Sequence, residues 1–265
     1  MILLSDPRVP AVAVADCGEP LVDLRDVPRL RMAEPTGDGV GALVREGVAE
    51  RLVAAQDALP AGLRLLVVEG YRSPQRQRTI FDGYREELRR LHPEWTDEWL
   101  FVETCKFVSP VDVAPHCTGG AVDLTLGTDD GVELDLGTPV DATPEASGNA
   151  CFTDAPGIPP QAREYRRILS RAMTGAGFVN YPTEWWHWSY GDRYWALMTG
   201  ADAACYGPVR FPVGTAVPAS RTGTGPGTGF DGAAGVDGAA GGGAAGPGRA
   251  AVPDRPAGRS GVASA

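Results

Sequence analysis

An aspartate stands in the middle of the most strand-like run of this chain, and few folds can accommodate it there. From Ala121 the sequence reads Ala-Val-Asp-Leu-Thr-Leu. Period-two alternation sends Val122, Leu124 and Leu126 to one face and Ala121, Asp123 and Thr125 to the other. The first face is apolar enough to be core. Asp123 then looks into a separate environment, and a mid-strand carboxylate is disfavoured and costly to bury without hydrogen bonds, a charge partner or a cation. His116 lies just upstream, and Gly119-Gly120 permits the tight backbone path that would bring it back beside Asp123. Much later, Glu184-Trp185-Trp186-His187 supplies a second carboxyl and a second imidazole.

His116, Asp123 and His187 together offer two imidazoles and one carboxylate. That set suits a divalent metal such as zinc, with a fourth position left for water. Open coordination implies catalysis, because water on such a cation has its pKa lowered from about 16 to about 7 and a substrate carbonyl is polarised. Glu184 is placed to take the water's proton. Its spacing of three from His187 would put the two on opposite faces of a regular strand, so Glu184 must lie in the turn after Pro182 or at a bulge. Taken singly, each half has a plainer reading: Asp123 as the partner of an arginine, the tryptophan-rich segment as core. His92, beside Pro93, reads as a surface group. Cys117 adjoins His116, but in an extended chain neighbouring side chains point apart.

The rest of the chain limits the alternatives. From Thr215 onward the sequence is Gly, Ala, Pro, Ser and Thr with one aromatic, Phe230, and cannot bury enough apolar surface to offset its chain entropy. The expected organisation is one domain over residues 1–213 and a disordered tail over 214–265. A net charge of −10 repels phosphate backbones and argues against a nucleic-acid partner. Ser5-Asp6-Pro7-Arg8 interrupts the apolar opening and no later run reaches membrane-spanning length, which points to a cytoplasmic protein with no membrane partner. The five cysteines are odd in number and lack a CxxC pair, so neither a disulfide framework nor a thiolate zinc site is indicated. Oligomeric state is not encoded.

Periodicity predicts helices over Asp38–Leu59, with Asp38 as N-cap, Pro74–Leu91, Thr96–Phe107 and Gln161–Thr174. Strands are expected over Leu63–Glu69, from Ala121, over Phe178–Tyr181 and over Trp185–Tyr190. Thr128-Asp129-Asp130-Gly131 suggests a hairpin returning through Val132–Leu136, and residues 137–160 form a long irregular loop of the kind that is often functional. The fold class is α+β: a single domain with helices packed on one face of a small, mainly antiparallel sheet whose other face carries the polar groups.

The pattern HxxGxAxD from His116 to Asp123, with Glu184-Trp185-Trp186-His187 following and Gly70-Tyr71-Arg72 upstream, resembles the zinc-dependent D-alanyl-D-alanine dipeptidases of the VanX type. The resemblance covers most of residues 20–200. It extends to a wider group of metallopeptidases that share an α+β fold with D,D-carboxypeptidases and the hedgehog signalling domain. It implies one zinc ion per subunit held by His116, Asp123 and His187, Glu184 as catalytic base, Arg72 as the oxyanion's partner, and Asp141 as the anchor for the substrate ammonium. The chain departs from its relatives at Val140, where an aromatic residue is expected, and at Ala114, where many carry serine. The implied activity is hydrolysis of a small dipeptide, D-Ala-D-Ala, linked to cell-wall precursors and vancomycin resistance. The alternatives are a D,D-carboxypeptidase acting on longer peptides, which should carry an export signal or anchor, and a non-catalytic zinc-stabilised binding module, against which Glu184 counts.

Overall fold

The run around Asp123 becomes the central strand of a five-stranded sheet in the computed structural model, which describes residues 1–33 and 40–209. The strands are β1 (Arg31–Met32), β2 (Leu63–Glu69), β3 (Ala121–Thr128), β4 (Val179–Asn180) and β5 (His187–Ser189). Their spatial order is β1-β2-β3-β5-β4. Within this sheet only β1 and β2 run parallel and the other pairings are antiparallel, as the sequence led us to expect.

Five longer helices surround this sheet: α1 (Glu46–Asp57), α2 (Pro74–Leu91), α3 (Asp97–Thr104), α4 (Pro160–Gly175) and α5 (Arg193–Thr199). Local chemistry explains where they begin. Pro74 opens α2 behind Ser73, whose hydroxyl accepts the Arg76 N–H; Thr96 caps α3 through the Trp99 N–H, and Asp192 caps α5 through the Trp195 N–H.

Alternation along β3 is realised as predicted. Val122, Leu124 and Leu126 join Leu65, Val67 and Trp188 in the main core, closed by Val48 and Leu52 of α1 and Leu169 and Met173 of α4. Helices α2 and α3 build a second cluster around Phe81, Tyr84, Leu88 and Leu100, and Phe107 packs against both clusters. The sheet's other face is left to Asp123, His187 and Ser189, all buried. Asp123 lies opposite His187 on β5 and opposite Glu69 on β2, where the register shifts between Val67 and Glu69. Three distant stretches of chain therefore bring polar side chains to one spot.

Two expectations are corrected. The helix predicted from Asp38 starts only at Glu46: Val40–Ala42 form a 3₁₀ turn, and Leu43–Arg45 form a strand paired antiparallel with Leu21–Asp23. All three residues of that strand are buried, Arg45 included, so no alternation of buried and exposed positions marks it as a strand, and Leu43-Val44 fits helical spacing as well as strand spacing. Asp38 itself lies outside the described residues. The hairpin after Thr128 returns only through a single bridge between Gly127 and Glu133, so Val132–Leu136 is not a strand. The described residues all fall in one compact unit. The expected boundary at 213/214 and the tail read as disordered lie outside the described residues. Among the described residues no helix is long and apolar enough to cross a membrane.

Candidate active site

His116 is carried on a short 3₁₀ turn, Pro115–Thr118, that ends in the left-handed Gly119 (φ 70°). A side chain at Gly119 would be strained by this φ and would meet Leu21, so the reversal that delivers His116 to the head of β3 needs glycine there. His187 opens β5. Between them the three expected ligands converge, with the His116 Nε2, His187 Nδ1 and Asp123 carboxylate atoms all within 4.8 Å of one another. His116 Nε2 lies 3.0 Å from His187 Nδ1 and 3.2 Å from Asp123 Oδ2, and His187 Nδ1 lies 3.0 Å from Asp123 Oδ1. Ligands about 2.0–2.1 Å from a tetrahedral ion stand roughly 3.3 Å apart, so the spacing fits a single small cation.

The donor chemistry gives an independent test of that fit. His116 Nδ1 sits 2.6 Å from the Gly70 carbonyl oxygen, which can only accept, so Nδ1 carries a proton, and in the neutral ring that a cation would select the Nε2 lone pair faces inward. An acceptor nitrogen and a carboxylate thus point at each other in a buried place, which is a cation's environment. Without a cation, burial opposes the charge on Asp123, but the two imidazoles outweigh it and hold its carboxyl far below the usual range. Burial lowers the pKa of His187; it acts the same way on His116, where Asp123 overcomes it and the net direction is upward.

Glu184 lies in the turn between Pro182-Thr183 and β5, its N–H donating to Tyr181 O and its carbonyl accepting the His187 N–H. The turn placement demanded by the sequence is met. Its Oε2 is 3.8 Å from His187 Nδ1. Burial, then the charges of Asp123 and Asp141, raise its carboxyl well above the ordinary value, with Arg72 acting the other way. A carboxyl whose hold on a proton is strengthened in this way can collect and return one.

Arg72 follows the Gly70-Tyr71 turn after β2. Its guanidinium is bonded to Glu69 and, at 3.1 Å, to Gln77 Oε1, and lies 3.7 Å from Asp123 Oδ2. Burial disfavours its charge but Glu69 more than compensates, so it stays cationic. Arg72, Glu184, His116, Asp123, His187 and Asp141 line one cleft of about 200 Å³. Typical drug-sized pockets run to about 300–1,000 Å³, so this one suits a very small substrate. Asp141, in a left-handed conformation (φ 63°), lies at the exposed edge of the cleft, apart from the ligand cluster; desolvation and the Asp123 charge raise its carboxyl, while Arg72 opposes the rise. A larger cavity of about 600 Å³ lies among Arg163, Arg166, Arg167 and Arg171, but Glu184 and the ligand trio are not in it.

Cys117 is not in the ligand cluster. It is buried, and burial pushes its thiol up to about 12. A thiol reagent at pH 8 is expected to label exposed Cys17 rapidly and to leave Cys117 and Cys105 unmodified until the protein unfolds, as read by peptide mass spectrometry. Glu69 and the Gly70 carbonyl are among the groups that escaped the sequence reading. Glu69, a carboxyl ending an otherwise apolar strand, anchors Arg72, and that odd placement was the signal. The Gly70 carbonyl fixes the His116 ring, which side-chain patterns do not reveal.

Two imidazoles, a carboxylate and a neighbouring glutamate gathered at the polar face of a mixed sheet form a site that could hold a metal ion, as metallopeptidases require. Residues 37–200 match the family model described as D-Ala-D-Ala dipeptidase, and the chain belongs to that family of peptide-bond hydrolases. It is 30% identical over 220 residues to a D-alanyl-D-alanine dipeptidase of Synechocystis, covering 70% of this chain and 87% of that one. It is 32% identical over 128 residues to one of Escherichia coli, covering 48% of this chain and 55% of that one. Among solved structures, the vancomycin-resistance D,D-dipeptidase VanXYg, in complex with a D-Ala-D-Ala phosphinate analog, is 20% identical with a TM-score of 0.36, over 73% of this chain and 69% of that one. So loose a likeness carries no weight here.

Proposed function

We propose that this protein hydrolyses the free dipeptide D-alanyl-D-alanine to two D-alanines, using one zinc ion per subunit held by His116, Asp123 and His187. The observation that carries the reading is the meeting of three ligand atoms within 4.8 Å beside a buried glutamate in a cleft of about 200 Å³. A cation there supplies Lewis acidity to a water and to the scissile carbonyl. The chain's own groups do the rest. Asp141, at the edge of the cleft, takes the substrate ammonium. Glu184 accepts the proton of the attacking water and passes it to the departing amine. Arg72, held in place by Glu69 and Gln77, presents a permanent positive charge to the oxyanion as it develops.

A substrate anchored at its ammonium and confined to so small a cleft leaves no room for a longer amino-terminal chain, which favours dipeptidase over carboxypeptidase action. The same reading places the protein in the cytoplasm, where it would remove the dipeptide before it enters the wall precursor whose end vancomycin recognises. Residues 1–213 would form the catalytic domain.

The test is D-alanine release from D-Ala-D-Ala and from an amino-blocked tripeptide ending in D-Ala-D-Ala, with zinc supplied. The dipeptide should be cleaved and the blocked peptide spared; preference for the blocked peptide would refute the assignment. Arg72→Lys is expected to lower kcat by about 10²–10³ with a smaller change in KM. A lysine keeps the charge but cannot reproduce the fork that grips Glu69 and Gln77.

A further inference from the structure

The proton on His116 is assigned by its carbonyl partner, but that on His187 is not. Its Nε2 faces the Ser189 hydroxyl at 3.3 Å, and a hydroxyl can donate or accept. If Ser189 donates to Nε2, the proton sits on Nδ1 and the ring merely hydrogen-bonds Asp123. If Ser189 accepts, Nδ1 is free to be a ligand. Which of the two holds depends on what else the Ser189 proton can do.

Asp192, in the turn after β5, supplies the answer. Its Oδ1 accepts the Trp195 N–H at 2.9 Å and caps α5, whereas Oδ2 is buried with no well-formed hydrogen bond. Ser189 and Asp192 are both almost wholly buried. Burial works against the charge on Asp192, and the Ser189 hydroxyl is among the groups that favour it. A buried acceptor oxygen left unpaired is costly, and turning the Ser189 hydroxyl toward it removes that cost.

We propose that Ser189 and Asp192 form a positioning relay for His187: Nε2–H donates to Ser189 Oγ, the Ser189 hydroxyl donates to Asp192 Oδ2, and the Nδ1 lone pair is thereby held toward Asp123 and His116. The proposal rests on the reading of His187 as a ligand. It completes a symmetry in the site, since each imidazole is then fixed by an acceptor behind it, the Gly70 carbonyl for His116 and the Ser189–Asp192 pair for His187. Outer partners of this kind orient a metal ligand without touching the metal.

The test uses the full chain as wild type, Ser189→Ala and Asp192→Asn. Asparagine is itself a good N-cap and keeps the α5 cap while removing the carboxylate. Zinc affinity is measured by competition with a chromophoric chelator, and the histidine tautomers by long-range ¹H–¹⁵N spectra of the zinc-loaded wild type; only three histidines contribute. The expected result is His187 as the Nε2–H form and zinc binding about 10–100-fold weaker in both variants, with His116 unchanged as the Nδ1–H form. Wild-type affinity in the variants overturns the relay while leaving the zinc reading intact; a proton on His187 Nδ1 in the zinc-loaded protein overturns the relay and also removes that nitrogen from the ligand set. Failure of the wild type to bind zinc overturns both. Should Asp192→Asn not fold, the nearly isosteric Ser189→Ala decides alone.

Discussion

Glu184→Gln is expected to lower kcat/KM for D-Ala-D-Ala by about 10²–10⁴, the range associated with loss of a positioned general base, while zinc content stays at the wild-type level. The substitution keeps the shape of the side chain and its place in the turn before β5, and removes only the ability to accept a proton. Its effect on stability should run the other way. The folded protein holds the Glu184 carboxyl well above its ordinary pKa, first through burial and then through Asp123 and Asp141. A carboxyl raised in this sense costs stability once the pH exceeds its unfolded value of about 4.3, and the cost grows up to the folded value. Glutamine is free of it. At pH 7 the zinc-free variant should therefore melt no lower than zinc-free wild type, so loss of turnover together with a maintained Tm separates a missing base from a damaged fold. A variant that retains wild-type turnover would remove Glu184 from the chemistry.

The second large effect concerns the ligands. His187→Ala is expected to lose zinc and to reduce turnover at least as far as Glu184→Gln, on the order of 10⁴ or more, because the cation serves both the water and the carbonyl. Chelation of the wild type should reproduce the loss. Returned zinc should restore wild-type activity but not that of the variant. Since His187 is buried on β5, the comparison needs circular dichroism of both proteins; a folded variant that still hydrolyses the dipeptide at the wild-type rate would exclude His187 from the ligand set.

Much of this site was legible because a strand sorts its residues by parity. Val122, Leu124 and Leu126 could only be core, and that left Asp123 on the other face in need of partners. Helix α2 was equally clear, with Pro74 at its start and arginines on its outer side. What escaped depends on pairing between distant segments. Leu43–Arg45 looked helical because all three residues, Arg45 included, are buried and no exposed face reveals the period, and only the pairing with Leu21–Asp23 settles the matter. Glu69, Ser189 and Asp192 escaped for a related reason. Glu69 showed only as a carboxyl closing an apolar strand, Ser189 and Asp192 are ordinary in sequence, and each acquires a role only when the register sets Glu69 opposite Asp123 or when the turn after β5 brings Asp192 back behind His187. Arg72 and Asp141 were placed by family resemblance rather than by pattern. Both line the cleft with the ligand trio.

The most direct measurement is a crystal structure of the zinc-loaded protein with anomalous data collected on both sides of the zinc absorption edge. The expected result is one anomalous peak per chain, about 2.0–2.2 Å from His116 Nε2, His187 Nδ1 and an Asp123 carboxylate oxygen, with Glu184 beside it. An active, zinc-loaded crystal whose only peak lies away from these three side chains would contradict it.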